Sequence, residues 1–275
     1  MLNVLDLFAG IGGFSLGLER TGGFRTVAFC EIDKKAQRVL NKHWPDTPIF
    51  DDVSALTKDL IDETVGTPVH VITGGFPCQD ISLAGKGAGL EGERSGLWFQ
   101  FHRLIREFQP RYAVIENVSA LRTKGLEVVL QGLSEIGYDA EWHCIPASAV
   151  GAPHRRDRIW IVAYPRQLRG RWVEPQQGSY RGNAVASGYG PQGNVGDVAY
   201  ARCQPSQVSV ARRLAAIQVP QRHSWWQVEP SVGRMADGVP SRMDRLKQLG
   251  NAVVPQIPQL LGEAILDWEK TRAAA

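Results

Sequence analysis

The sequence predicts an α/β fold: a doubly wound, mostly parallel sheet carrying a small, irregular second domain. Three observations lead there. Short β-type runs alternate with amphipathic helical stretches over residues 1–164, the pattern of βαβ units. The first strand runs into a Gly-rich turn that opens a helix, Asp6-Leu7-Phe8-Ala9-Gly10-Ile11-Gly12-Gly13-Phe14. Beyond residue 165 the alternation stops, and Gly, Gln, Ser, Pro and Arg dominate.

Strands are expected at 4–8, 26–31, 69–73, 112–116, 140–145 and 158–163, each short and rich in β-branched or aromatic residues. The helix at 13–20 places Phe14 and Leu18 on one face. The helix at 34–43 follows Asp33, an acceptable N-cap. Stretches 97–108 and 126–136 repeat apolar residues at i, i+3 and i+4. Regular order resumes at 244–254, and a last helix at 258–271 buries Leu260, Leu261, Ile265 and Trp268. The main domain is thus 1–164 plus 244–275, with a second at 165–243. Turn signals fill that second stretch, as in Gly188-Tyr189-Gly190-Pro191. Its aromatics (Trp172, Tyr180, Tyr189, Tyr200, Trp225, Trp226) favour a small irregular domain over a disordered insertion.

The 275 residues, 43% hydrophobic and 21% charged, suit a soluble globular protein with a real core. No apolar run reaches the length of a membrane span. The start reads as a first strand, with no basic leader and no signal peptide. Cys30, Cys78, Cys144 and Cys203 form no C-x-x-C pair, so neither a disulfide framework nor a metal site is expected, and a cytoplasmic, reducing setting fits. No long apolar stripe is left over, which favours a monomer. Net charge is only +3, yet residues 165–243 hold 10 Arg, no Lys and 4 acids. That local excess fits a surface facing a polyanion, or else a solvated basic loop region.

Candidate functional residues gather where strands end. Cys78, in Gly74-Gly75-Phe76-Pro77-Cys78-Gln79-Asp80-Ile81-Ser82, follows the run 69–73 and precedes a Gly-rich loop. It is either a nucleophile or a buried structural cysteine. The glycines after the first strand let the backbone approach a ligand. Glu31, 18 residues beyond Gly13, could hold both ribose hydroxyls of a nucleoside cofactor. Asp52 stands like a third-strand acid able to meet an adenine amino group. The glycine spacing departs from G-x-G-x-x-G and offers no clear pyrophosphate site, so S-adenosylmethionine (SAM) fits better than NAD. Glu116 ends the strand at 112–116, where it serves chemistry or merely caps and solvates that end. Strand alternation puts Arg156 and Arg158 on one face, to grip a phosphate or carbonyl or to form a surface charge run.

Taken in order, these motifs resemble the cytosine-C5 DNA methyltransferases along nearly the whole chain. The resemblance rests on Asp6–Gly13, Glu31, Phe-Pro-Cys-Gln at 76–79, Glu-Asn-Val at 116–118, Arg155–Arg158 and Gly-Asn-Ala-Val-Val-Pro at 250–255. It implies a Rossmann-like, SAM-dependent methyltransferase fold, with 165–243 as a compact target-recognition domain. It implies catalysis by Cys78, Glu116, Arg158 and Arg156. Cofactor contacts would come from Asp6, Phe8, Ala9, Gly10, Ile11, Gly12, Gly13, Glu31, Ile32, Asp52, Val53, Pro77, Asn251, Ala252 and Val253. DNA contacts would come from Gln79, Ser82, Lys86, Asn117 and Arg155. His154 stands where the family usually has Gln, a departure that touches the positioning of the catalytic loop.

The reaction so implied is methylation of cytosine C5 in a short duplex DNA sequence, with the base flipped out of the stack. Cys78 adds to C6, Glu116 meets N3 with a raised pKa, and Arg158 holds O2. Products are 5-methylcytosine and S-adenosylhomocysteine, without a metal. Expected partners are double-stranded DNA and, in function only, a restriction endonuclease. The source would be bacterial, with the enzyme at the nucleoid, or phage. Three other readings compete: a tRNA cytosine-C5 methyltransferase, a non-catalytic DNA-binding protein of the same fold, and a nicotinamide-dependent oxidoreductase.

Overall fold

The computed structural model describes residues 1–77, 96–152, 154–168 and 248–273. The strand at Leu2–Leu7 (β1) is buried along its whole length, as a strand covered on both faces must be. The chain then alternates: α1 (Gly13–Glu19), β2 (Phe24–Cys30), α2 (Lys34–His43), β3 (Ile49–Phe50), α3 (Lys58–Val65), β4 (Val71–Gly74), α4 (Gly96–Phe108) and β5 (Tyr112–Val118). Two helices follow, α5 (Leu121–Lys124) and α6 (Leu126–Glu135), before β6 (Tyr138–Pro146) and β7 (Asp157–Pro165). Helix α7 (Gln256–Ala273) closes the described chain.

Among the described residues the strands form one sheet, ordered β3-β2-β1-β4-β5-β7-β6. Strands β1 to β5 are parallel. Strand β7 runs antiparallel to both β5 and β6. The expectation of a doubly wound, mostly parallel sheet holds. The order reverses between β1 and β4, and such switch points are where ligands bind in open α/β sheets.

Each face of the sheet is covered. Leu5, Leu7, Ile72, Ile115 and Ile161 pack with Phe101, Leu104 and Ile105 of α4 and Val129 of α6. On the other face, Val4, Val71, Val114 and Trp160 meet Phe14 and Leu18 of α1 and Ile257, Leu261 and Ile265 of α7. Helix α7 therefore docks on α1. Leu261 and Ile265 are buried, whereas Leu260 is half-buried and Trp268 partly so. At its far end Glu269 accepts from Tyr112 Oη at 2.5 Å and pairs with Arg111.

Several boundaries differ from expectation for local reasons. Strand β1 stops one residue short because Phe8 turns into a positive φ of 53°. Asp33 does cap α2, its side chain accepting from the Lys35 amide. Three elements had no assigned range in the sequence, among them the single-turn helix α5. Strand β3 has only two residues, too few for any period. Helix α3 buries one residue, Ile61, and is marked mainly by its Thr57 cap and left-handed Gly66. A helical turn occupies 248–251, within the stretch where order was expected to resume. Most of 165–243 lies outside the described residues, as do Cys78, Gln79, Ser82 and Lys86. No helix among the described residues is long and apolar enough to cross a membrane.

Candidate active site

The carboxyl ends of β1, β2, β4 and β5, with the start of β7, share one edge of the sheet. The loop after β1 is shaped by left-handed residues. Phe8, Gly10 and Gly12 have φ of 53°, 57° and 83°, a conformation that favours glycine at two of these three places. At Gly12 and Gly13 space is also lacking. A Cβ on Gly12 would lie 2.6 Å from the Trp44 ring, and one on Gly13 would lie 2.5 Å from the Val253 carbonyl oxygen. Residues 253–255 thus lie directly against the first turns of α1.

Glu31 leaves β2 and folds back on this loop. One carboxylate oxygen accepts from the Gly10 amide at 2.7 Å, the other from the Asp33 amide at 2.8 Å. Beside it, Ile32 is 78% exposed, an apolar residue that the described residues leave largely open. Asp52 lies two residues past β3 and accepts from the amide and hydroxyl of Ser54, while Val53 is buried in the core. Asp51, not Asp52, pairs with Lys34 on α2.

Several of the predicted cofactor residues face inward, Gly12, Gly13 and Val53 among them. Asp6 is fully buried, with Ser15 and Thr73 hydroxyls donating to its two carboxylate oxygens. Ala9 is buried as well, and its amide bonds to the Cys30 carbonyl. Ile11 lies between the two glycines, half-buried.

The segment entering Cys78 is fixed against the end of β5. Asn117 donates its side-chain amide to the Phe76 carbonyl at 2.8 Å and accepts from the Val118 amide. It is 3% exposed, so the residue expected to touch DNA instead faces the protein and pins this segment. A Cβ on Gly75 would meet Glu116 Oε2 at 2.8 Å. A side chain there would have to push the Glu116 carboxylate aside. Pro77, next in line, is exposed.

Glu116 and Arg158 form an ion pair with Nε 2.9 Å from Oε1, both side chains largely buried. Burial pushes the Glu116 carboxyl above the ordinary carboxylate range, and the Arg158 and Arg156 charges oppose that rise. Arg156 itself turns away to donate to the Gly250 carbonyl at 2.5 Å. It does so from a positive φ of 39°, a strained conformation for a long side chain. Arg155 projects outward and pairs with Asp157. His154 precedes this run, half-buried. Asn251 is exposed, while Ala252 and Val253 are half-buried.

An aromatic row supports the same edge from the opposite face. Phe8 stacks on Phe101, Phe101 on Trp98, and Trp98 meets Phe76. None of these four was anticipated as a unit, because α4 reads simply as an amphipathic helix. Ser15 and Thr73 were missed too. A hydroxyl on the buried face of α1, in line with Leu18, was the one available hint.

The profile of the C-5 cytosine-specific DNA methylases matches residues 2–189. The chain belongs to this family. Similar proteins include Type II methyltransferases. The Type II methyltransferase M.CviJI of Paramecium bursaria Chlorella virus IL3A is 39% identical over 58% of this chain. M1.ScrFI of Lactococcus lactis subsp. cremoris is 36% identical over 60% of it. The matched stretch spans 42% of each of those two relatives. A solved structure of an E. coli prophage protein superposes with a TM-score of 0.52, at 31% identity over 62% of this chain and 48% of that one. That prophage protein is named as a DNA modification methyltransferase, and its fold is the one this sheet shares.

Proposed function

We propose that this chain transfers a methyl group from SAM to C5 of a cytosine flipped out of a short duplex DNA sequence, through a covalent bond between Cys78 and C6. The observation that carries the reading is the buried Glu116–Arg158 pair at the sheet edge, in contact range of Gly75, three residues before Cys78.

The residues present fit the cofactor. Glu31 uses each oxygen once, on Gly10 and Asp33, and each keeps a lone pair for a ribose hydroxyl. Ile32 offers an exposed apolar face for a purine. Phe8, Gly10, Ile11, Gly12 and Gly13 form the wall, with Val53 and Pro77 beside it and Asn251, Ala252 and Val253 closing the far side. Asp52 would meet the adenine amino group. When bound, SAM supplies an electrophilic methyl on a sulfonium centre.

The chain's own residues supply the rest. Cytosine C5 is a poor nucleophile until a thiolate adds to C6. Cys78 makes that addition. As sulfur attacks, negative charge builds on the ring, and Glu116 places a proton at N3. Its upward shift by burial suits that task. Arg158 orients Glu116 and holds O2, where a guanidinium is matched to a carbonyl and a carboxylate at once. After the methyl reaches C5, a water takes the C5 proton. The C–H electron pair restores the C5–C6 double bond as the C6–S bond breaks and releases the Cys78 thiolate, and N3 returns its proton to Glu116. Arg156 braces this strand, and Arg155, with Gln79, Ser82 and Lys86, faces the DNA.

The 165–243 segment is the target-recognition domain in this reading, its arginines meeting phosphates and guanine edges. Type II relatives favour duplex DNA as substrate and a restriction endonuclease as functional counterpart. The enzyme works as a monomer in the cytoplasm, without a metal. The test is transfer of labelled methyl from SAM to duplex DNA and, in parallel, to tRNA. Label in duplex DNA supports the reading, label only in tRNA moves the substrate, and label in neither contradicts it.

A further inference from the structure

We propose that Asp6 is a positioning residue that ties the 8–13 loop to the segment entering Cys78, through Ser15 on α1 and Thr73 on β4. The proposal rests on the reading that those two segments serve the cofactor and the nucleophile. Asp6 Oδ2 accepts from Ser15 Oγ at 2.8 Å, and Oδ1 accepts from Thr73 Oγ1 at 2.7 Å. Asp6 and Thr73 are register partners on neighbouring strands. Each stands two residues before the segment it controls: Asp6 before Phe8, Thr73 before Gly75. Ser15 holds the start of α1 to the same carboxylate.

The surroundings make this acid costly. Val4, Val71, Val114, Phe14 and Leu18 share its face of the sheet, and the carboxyl is wholly enclosed. A buried acid contributes less to stability than an apolar residue of similar size would. What it adds is a fixed, fully satisfied hydrogen-bond network across three elements. Enclosure also rules Asp6 out as a direct contact for SAM. The two ends of the network are already tight. A Cβ on Gly74 would lie 2.6 Å from the Leu7 carbonyl oxygen, so a small shift of β4 against β1 has nowhere to dissipate.

The coupling is testable without substrate. Amide hydrogen exchange is measured on the unliganded protein at Ala9, Gly10 and Gly12, whose amides bond to the Cys30 carbonyl, Glu31 and the Ala9 carbonyl. Thr73→Val, a change on β4, should speed exchange at these three loop amides about fivefold, the effect of losing one hydrogen bond. Amides of the β6–β7 ladder should keep wild-type rates. Asp6→Asn should leave the loop between wild type and Thr73→Val. In the steady state, Thr73→Val should raise KM for SAM more than it lowers kcat. Loop amides that exchange at the wild-type rate in Thr73→Val would overturn the proposal. So would an equal rise across the whole sheet, which is simple destabilisation. If Thr73→Val speeds the loop amides as predicted yet the wild type methylates neither DNA nor tRNA, the functional reading fails and the coupling stands.

Discussion

Arg158 reaches diagonally across the β5–β7 junction to Glu116, Nε to Oε1 at 2.9 Å. In register, Arg158 faces Val118 and Glu116 faces Trp160. The pair is thus a two-residue diagonal on one face of an antiparallel ladder, the separation that long side chains bridge. Because β7 alone in this neighbourhood runs backwards, its first residues lie beside the last residues of β5. An arginine from the start of one strand and an acid from the end of another are brought to the same edge.

Glu116→Gln keeps the shape and removes the titrating proton. It should lower kcat by about 100-fold to 10,000-fold, the range for losing a positioned acid. SAM affinity should be nearly unchanged. Single-turnover methylation with calorimetry of SAM binding checks both halves.

Asp6 links stability to pH. Burial raises its pKa to about 7, with Thr73 and Ser15 donation opposing and the Glu31 charge assisting. Between the ordinary carboxylate range and about 7, the unfolded chain has released a proton that the folded chain keeps. Stability therefore falls as pH rises through this window and levels above it. The swing attributable to Asp6 is on the order of a few kcal/mol. Asp6→Asn should flatten it, so its stability relative to wild type improves from about pH 5 to about pH 8. Urea unfolding at the two pH values is the check.

Glu31→Gln removes a charge-assisted acceptor beside Gly10. SAM binding should weaken by about 10-fold to 100-fold, as expected for losing a hydrogen bond to a charged group. Calorimetry reads this directly, and DNA affinity should not follow.

Gly13→Ala and Gly17→Ala test the seam between α1 and residues 253–255. The added Cβ would run into the carbonyl oxygens of Val253 and Pro255, which are backbone and cannot swing away. Each should cost about 1–3 kcal/mol, seen as a lower Tm. Gly10→Ala meets no atom within 4 Å and is strained only by its φ of 57°, so it should cost less.

Much of this edge was legible in the residues themselves. The alternation of short strands and helices announces a mostly parallel sheet with its chemistry at the carboxyl ends, and Glu31 and Glu116 do stand at or near the ends of β2 and β5, with Arg158 at the start of β7. What stayed hidden depends on neighbours that are distant in sequence. Asn117 reads as an exposed polar residue after a strand, yet Phe76, 41 residues away, supplies the carbonyl that turns it inward. Asp6 reads as an acid in the first strand that could touch a cofactor, but its fate is set by Thr73 in the neighbouring strand. Arg156 shares a face with Arg158 by alternation, and its positive φ sends it to Gly250 instead. Helix α3 escaped because one buried residue makes no stripe, although its two caps were present in the sequence.

The most direct test of the central claim is bisulfite sequencing of plasmid DNA from cells making the wild-type protein beside cells making Cys78→Ser. The account predicts cytosines protected from conversion at one short motif in the wild type and nowhere in the variant. Protection that survives Cys78→Ser would contradict a thiol nucleophile, and a wild type that protects no cytosine would contradict DNA as the substrate.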